Sequence, residues 1–257
     1  MIRTASTGDL DSIRTLLEGA NDMPYDIAPV VEEKCFGEGL SGPPRVRVVE
    51  EDGAIRAVAV TCGKYLRILA VDRNHRRRGI GTALLEDSAA EVIAAEPGNY
   101  CVPGVIDPAF FAKRGYRQTG ETWNLHVEIR DSGFGVRELR TPNPELRTAM
   151  LAFIAHNFNP AWAFEANRAV IAHYLPNIGF AVAEANNRGQ GTFGPAGVVE
   201  SARGRGYGRQ LLMACLADLH RLGYTRAIIP WTDAIEFYRK SCGAEAAHRF
   251  VRLAKPL

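Results

Sequence analysis

The chain has 257 residues, of which 46% are hydrophobic and 23% charged, values typical of a folded protein rather than a disordered or collagen-like one. Its formal net charge of +2 gives no overall field that would favour nucleic acid as a partner. The sequence has no apolar run of the roughly 18–20 residues that a membrane span needs, and no signal peptide, so we expect a cytoplasmic protein with no membrane partner.

The cysteines and histidines do not form a metal-binding pattern. The histidines show no ligand spacing, and the chain has no Cys-x-x-Cys pair. We therefore expect no bound metal and reduced cysteines that lie mostly in the core. The five cysteines are Cys35, Cys62, Cys101, Cys215 and Cys242.

The first half of the chain alternates between strand-like and helix-like patterns. A helix-like stretch, DLDSIRTLLEGA, follows Ile2-Arg3. Alternating apolar residues then predict strands at 45–50, 54–61, 65–71, 99–103 and 116–129. Helical spacing predicts helices at 80–95, ending before Pro97-Gly98, and at 107–114.

The second half follows a similar order of elements. It begins with the helix-like stretch PELRTAMLAFIAHNF. We then predict a hairpin of 168–174 with 178–185 around Pro176-Asn177, although Arg168–Tyr174 could also be the end of a helix. A strand at 193–199, a helix at 207–222 and a strand at 226–230 are predicted after it.

An internal repeat relates the two halves. RRRGIGTALL at Arg76–Leu85 matches RGRGYGRQLL at Arg203–Leu212, and the same register aligns Pro103 with Pro230, Phe110 with Phe237 and Lys113 with Lys240. Repeated glycine, apolar and charged positions indicate two copies of one fold. Flexible residues at 131–135 predict the boundary there, giving domains at 1–132 and 136–257.

In both copies a strand leads into Arg-x-x-Gly-x-Gly and then a helix. Glycines let a ligand approach the backbone, and free amides at a helix N-terminus bind phosphate, so the pattern predicts a diphosphate site. The chain lacks the Gly-Lys-[Ser/Thr] of nucleoside triphosphate loops. Leu84 and Leu211 replace the third glycine of the Rossmann fingerprint, which disfavours that alternative too.

The pattern V-x-x-x-x-[R/Q]-x-x-G-x-G resembles the acyl-CoA loop of the GCN5-related N-acetyltransferase (GNAT) family. Val71 and Arg76 fit it in the first copy, and Val198 and Arg203 in the second. The later segments DPAFFAKRGY (107–116) and DAIEFYRKSCGA (233–244) resemble the family's aromatic motif. The resemblance implies an α/β (α+β) protein with two tandem domains, each a mixed, mostly antiparallel twisted sheet flanked by helices, with splayed central strands.

The resemblance also implies direct transfer of an acetyl group from acetyl-CoA, as co-substrate, to an amine of a small molecule or peptide, without a metal. The pantetheine arm would pair with Ile68–Val71 or Ala196–Val198. The implied CoA-binding residues are Val71, Arg76, Arg77, Arg78, Gly79, Ile80, Gly81 and Thr82 in the first copy, and Val198, Arg203, Gly204, Arg205, Gly206, Tyr207, Gly208 and Arg209 in the second.

The aromatic motif suggests which copy is catalytic. The family often uses a tyrosine there to protonate the departing thiolate; the second copy has Tyr238, whereas the first has Phe111, which carries no proton to donate. Tyr238 lies five residues before Gly243 but Phe111 only four before Gly115, so the tyrosine could point elsewhere.

The general base and the acceptor pocket remain open in the sequence. Glu200 is a candidate base, with His173, Glu165 and an ordered water as alternatives. Trp162, Phe164 and Trp231 could line an acceptor pocket.

Three accounts of the whole chain compete. The first is a tandem acyltransferase with a catalytic second copy, and the second a non-catalytic CoA-binding or sensing protein. An arginine-rich nucleic-acid binder is disfavoured because the sequence has no array of stacking aromatics. We expect a monomer or a homodimer.

Overall fold

A computed structural model describes residues 1–20, 26–93, 96–98, 107–129 and 143–256. The chain divides into two compact units: unit 1 comprises Met1–Glu121 and Phe250–Leu257, and unit 2 comprises Thr122–Arg249. The predicted boundary at 131–135 and the predicted strand at 99–103 lie outside the described residues. Across the described ranges, no helix has the length and apolar character required to cross a membrane.

Unit 1 contains an antiparallel sheet followed by a parallel strand. Its elements are β1 (Ile2–Thr4), α1 (Leu10–Ala20), α2 (Val31–Phe36), β2 (Arg45–Glu51), β3 (Ala54–Cys62), β4 (Tyr65–Val71), α3 (Ile80–Ser88), β5 (Val92–Ile93) and α4 (Pro108–Ala112). Strands β1 to β4 pair antiparallel in chain order, and β5 joins β4 in parallel. Aliphatic residues of α1 and α2, including Ile13 and Val31, pack on the sheet through Val48 and Val58.

Unit 2 has helices on both faces of a three-stranded sheet. The next elements are β6 (Arg117–Glu128), α5 (Pro144–Asn157), α6 (Pro160–Arg168), β7 (Ile171–Leu175), β8 (Gly179–Ala183), β9 (Phe193–Val198), α7 (Tyr207–Arg221), β10 (Arg226–Thr232), α8 (Ile235–Cys242) and β11 (Glu245–Ala254). Along β7 and β8 the side chains alternate: Ile171 and Ala181 pack towards α7, whereas Ala172 and Phe180 pack towards α5 and α6.

The predicted class, a mixed and mostly antiparallel sheet flanked by helices, is confirmed. The hairpin around Pro176-Asn177 is also confirmed, with Asn177 in the left-handed region at φ +58°. Its predicted start is wrong, because Arg168 is the last residue of α6 and the strand begins at Ile171. The other predicted strands and helices in the described residues agree to within about two residues, apart from the helix at 80–95.

The helix predicted at 80–95 is shorter than expected. It ends at Ser88, because Ala89 adopts a left-handed conformation with φ +50°, and the chain then forms β5. Pro97-Gly98 therefore forms a turn after a strand and does not end the helix. Alanine-rich sequence favours a helix locally, and the tertiary pairing of Val92 and Ile93 with β4 overrides that preference.

Each unit takes one strand segment from the other half of the sequence. In unit 1, Leu253 and Ala254 of β11 pair with Ile93 and Val92 of β5. In unit 2, residues Trp123 to Glu128 of β6 pair antiparallel with β10, from Thr232 back to Arg226. Leu125, Val127 and Ile129 thereby enter the core against α7.

The central strands of unit 2 separate along their length. Among the described residues, the ladder between β9 and β10 consists of one parallel bridge, Thr192 with Ile228, just before β9 begins. Beyond that bridge β9 pairs with β8 alone in the described part of the chain. In unit 1, the pairing of β4 with β5 involves Tyr65 and Leu66, at the start of β4. This separation matches the splayed strands expected from the resemblance.

Candidate functional site

A glycine loop joins β9 to α7 in unit 2. The chain leaves β9 through a short 3-10 turn at Glu200–Ala202, and Gly204 and Gly206 then adopt φ +75° and +83°. Gly206 is the N-cap of α7 and provides no side-chain cap for the first amides of this 15-residue helix. The loop therefore presents backbone N–H groups and the positive end of the α7 dipole, which suit an anion.

Unit 1 repeats this loop between β4 and α3. Arg76 Nε donates to the Val71 carbonyl at 3.1 Å, and Arg203 Nε donates to the Val198 carbonyl at 3.3 Å. Gly79 is the N-cap of α3 with φ +82°. Where the second loop has Gly204, the first has Arg77, which also adopts a left-handed conformation, at φ +65°. The first arginine of the motif thus fastens each loop to the end of its strand.

The aromatic helices α4 and α8 pack against the second glycine of each loop. A Cβ atom added to Gly81 would lie 3.5 Å from Val71 and 3.6 Å from Phe110. One added to Gly208 would lie 3.3 Å from Phe237 and 3.8 Å from Val198. Phe110 and Phe237 therefore hold the same place relative to their loops.

Tyr238 and Phe111 are structurally equivalent. Each follows the packed phenylalanine, with ring centroids 5.0 Å apart for Phe237 and Tyr238 and 5.1 Å apart for Phe110 and Phe111. The additional residue of α8 consequently lies after Tyr238, before Gly243.

Tyr238 sits beside the first residue of β9. Its ring makes an edge contact with Phe193 at 6.0 Å and packs against the core beneath α7. Burial raises the pKa of the Tyr238 phenol, and the nearby Cys242 and Asp233 raise it further. The phenol is therefore protonated at neutral pH, as a proton donor must be.

Strands β4 and β9 have bulges at equivalent positions, but different residues form the two bulges. In β4 the additional residue is Arg67, whose buried guanidinium forms 2.6 and 2.9 Å hydrogen bonds with Glu96 and a 2.8 Å bond with the Gly37 carbonyl. In β9 the irregularity covers Gly194 and Pro195. A Cβ atom added to Gly194 would meet no atom of the described residues within 4 Å.

An aromatic layer covers the other face of β9. Phe158, between α5 and α6, lies so close to Gly197 that a Cβ atom there would be 2.5 Å from its ring. Trp162 stacks on Phe158 with centroids 5.6 Å apart and also contacts Phe180 of β8. Phe164 lies beneath the Arg168 guanidinium at 4.4 Å. Phe158 thus packs directly against Gly197 of β9.

The candidate bases lie on three different elements. Glu200 is exposed in the 3-10 turn after β9, where its carbonyl accepts the Arg203 N–H at 3.1 Å. His173 is buried on β7, with Nε2 2.9 Å from Asp218 of α7. Glu165 is buried on α6. The contact of His173 with Asp218 fits a structural role between β7 and α7.

Within the described ranges, no group of three or more His, Cys, Asp or Glu side chains is arranged to hold a metal ion. Four of the cysteines are free thiols, three of them buried, and Cys101 lies outside the described residues.

Sequence reasoning missed two buried polar residues, one in each unit. Arg67 and Asn124 interrupt apolar strands, in YLRILAV and TWNLHV, and both are buried. A charged or amide side chain inside an apolar strand needs a buried partner, and this was the available signal. The partners Glu96 and Trp231 are distant in sequence and could not be identified from it.

The sequence matches the family described as the acetyltransferase (GNAT) domain over residues 43–118, and the acetyltransferase (GNAT) family over residues 136–244. No curated protein sequence matches the chain.

Solved structures similar to the chain share its fold. A GCN5-related glucosamine N-acetyltransferase region of a fungal multi-domain GH3 beta-N-acetylglucosaminidase has a TM-score of 0.75 at 17% identity, covering 98% of this chain and 38% of that one. A GCN5-related N-acetyltransferase from Sphaerobacter thermophilus has a TM-score of 0.67 at 18% identity, covering 99% and 95%. A tandem GNAT protein from the clavulanic acid biosynthesis pathway has a TM-score of 0.64 at 15% identity, covering 98% and 97%.

Proposed function

Because the chain belongs to the GNAT acetyltransferase family and carries two of its domains in tandem, we propose that it transfers an acetyl group from acetyl-CoA directly to an amine of a small molecule or peptide. Unit 2 performs the reaction in this proposal. The observation that carries this assignment is the pair of differences at equivalent positions: Tyr238 against Phe111, and the open bulge at Gly194 against the buried Arg67.

The glycine loop of unit 2 would hold the diphosphate of CoA. Its exposed amides and the N-terminus of α7 offer hydrogen bonds and favourable electrostatics, and neighbouring arginines can pair with further phosphate oxygens. The pantetheine arm would lie along Ala196–Val198, where β9 has separated from β10. The proposed contact residues are Val198, Arg203, Gly204, Arg205, Gly206, Tyr207, Gly208 and Arg209.

In the proposed reaction the neutral amine attacks the thioester carbonyl, so that a C–N bond forms and the C–S bond breaks. Tyr238 donates its proton to the departing thiolate, and burial, which raises the pKa of its phenol, keeps that proton in place beforehand. The proton lost by the amine goes to a base, for which Glu200 and an ordered water are the candidates. Neither an acyl-enzyme nor a metal takes part.

Unit 1 would bind CoA without performing chemistry, or would serve a structural role. Phe111 has no proton to donate, and the Arg67–Glu96 ion pair fills the bulge of β4. The corresponding loop residues are Val71, Arg76, Arg77, Arg78, Gly79, Ile80, Gly81 and Thr82. The second candidate is a CoA-binding sensor in which neither unit performs chemistry. Unit 1 supports this candidate, because it keeps the glycine loop and has Phe111 in place of a proton donor.

The test measures thiol release from acetyl-CoA across a panel of amines, together with the thermal shift caused by acetyl-CoA. We expect Tyr238→Phe to lower kcat at least about tenfold, since general acids typically contribute about 10²–10⁴-fold. The matched control is Tyr174→Phe, which removes the hydroxyl of a buried tyrosine elsewhere in unit 2 and should change kcat less than twofold. Thermal stabilisation without thiol release from any amine would instead support the sensor.

A further inference from the structure

A buried asparagine lies on β6 where β10 departs from regular pairing. Leu125 pairs with Ile229 and Trp123 pairs with Thr232, so Asn124 faces two residues of β10, Pro230 and Trp231. Two residues opposite one constitute a β-bulge, a feature that re-aims side chains and often lies beside active sites. Asn124 is 2% exposed.

The side chain of Asn124 supplies a hydrogen bond within this bulge. Pro230 has no N–H to donate to β6. The N–H of Trp231 donates to Asn124 Oδ1 at 3.1 Å. Trp231 has φ +54°, which is uncommon for a bulky residue and persists only where the surroundings hold it. Asn124 is therefore a support for a strained backbone.

The strained segment leads directly into the helix that carries Tyr238. Thr232 Oγ1 accepts the N–H of Ala234 at 3.0 Å. The Ala234 carbonyl then accepts the N–H groups of Phe237 at 3.1 Å and Tyr238 at 3.3 Å. Trp231 thus immediately precedes the residues whose hydrogen bonds begin α8, the helix that carries the Tyr238 ring in contact with Phe193.

We propose that Asn124 is a positioning residue for Tyr238, acting through the Pro230–Trp231 bulge. The residue comes from the half of the sequence that carries unit 1, although it lies in unit 2. The inference rests on the proposed function, because it assigns Asn124 to the reaction in which Tyr238 donates a proton.

Two substitutions separate positioning from packing. Asn124→Leu keeps a similar volume but removes the acceptor of the Trp231 N–H, whereas Asn124→Asp keeps an acceptor oxygen at the same place. We expect Asn124→Leu to lower kcat at least tenfold with the KM for acetyl-CoA within twofold, and Asn124→Asp to restore most of kcat. In a Tyr238→Phe background, Asn124→Leu should lower kcat less than twofold further, because its effect passes through the missing hydroxyl.

Crystal structures of the two variants test the inference independently of turnover. We expect the Tyr238 ring to move by more than about 1 Å in Asn124→Leu, a displacement that can cost about 10²-fold in rate, and to stay in place in Asn124→Asp. An unmoved ring in Asn124→Leu overturns the inference, as does an undiminished effect of this variant on kcat in the Tyr238→Phe background. If the wild-type chain releases no thiol with any amine, the proposed function fails. The position of the Tyr238 ring in Asn124→Leu then tests by itself whether Asn124 positions Tyr238.

Discussion

Single residues distinguish two sites that share their backbone. The loops, the fastening arginines and the packed phenylalanines are repeated in both units. The differences are a hydroxyl on Tyr238 and the absence of a side chain at Gly194. In unit 1 the corresponding bulge holds a guanidinium whose buried partner, Glu96, satisfies its charge. A duplicated fold can thus retain its glycine loop while the bulge of the preceding strand changes.

A pair of histidines in unit 2 predicts a pH-dependent stability. His126 and His248 are in ring contact at 5.6 Å. Burial, together with the charge of Arg226 and the neighbouring His248, lowers the pKa of His126 to about 4. Between about pH 6.5 and 4 the unfolded chain therefore binds a proton at His126 that the folded chain does not, so stability falls as the pH falls through this window.

The expected result is a melting temperature that drops between pH 7 and pH 5, and a smaller drop in His126→Gln. Thermal melts at constant ionic strength measure it. The control is His156→Gln, since His156 is exposed and should leave the drop unchanged. A drop of equal size in His126→Gln would contradict the prediction.

At the level of elements, sequence patterns predicted the strands and turns that depend mainly on neighbouring residues. Alternation located β2, β3 and β4, and Pro176-Asn177 located the turn of the β7–β8 hairpin. The end of α3 could not be predicted in this way, because Ala89 has a strong helix propensity and leaves the helix only as β5 pairs with β4. The predicted end of a helix is wrong where pairing with a distant strand outweighs the local helix propensity.

We predict that replacing a left-handed glycine weakens CoA binding when the glycine lies in a glycine loop, and not when it lies elsewhere. Gly206 precedes the exposed amides of α7 and has φ +83°. Gly206→Val imposes left-handed strain and covers these amides, so we expect CoA binding to unit 2 to weaken at least about tenfold. Calorimetry with CoA measures this effect.

Gly223 provides the matched control for that substitution. It follows the other end of α7 with φ +92°, where a Cβ atom would meet nothing among the described residues within 4 Å. Gly223→Val should carry similar backbone strain and leave CoA affinity unchanged. Gly79→Val tests the loop of unit 1 in the same titration. Unchanged CoA binding in the Gly206→Val, Gly79→Val double variant would rule out the glycine loops as the diphosphate site.

At the level of the whole molecule, the repeat identified two copies of the fold. It did not show the exchange by which each unit includes a strand segment from the other half of the sequence. An apolar alternating strand such as RQTGETWNLHVE indicates which face is buried and not which strand it pairs with. The pairing of Arg226 with Glu128 and of Leu253 with Ile93 joins residues far apart in the chain. For the same reason Asn124 could not be associated with Trp231 or Tyr238 before the structure was known.

The exchange predicts how fragments behave. Residues 122–249 contain all of unit 2, whereas 136–249 lack Leu125, Val127 and Ile129 of its core. Burial of each such side chain contributes roughly 1.5–3 kcal/mol, and three together approach the roughly 5–15 kcal/mol that keeps a domain folded. We expect a cooperative thermal transition for the longer fragment and none for the shorter one. Equal melting temperatures for the two would contradict this expectation.

The same exchange fixes an order of events during synthesis on the ribosome. Domains generally fold as units while the nascent chain emerges. All of Thr122–Arg249 leaves the exit tunnel before Phe250–Leu257, the segment that completes the sheet of unit 1. The half that is translated first is therefore the last to acquire its full set of strands, and during that interval its β5 edge is open to association with other nascent chains.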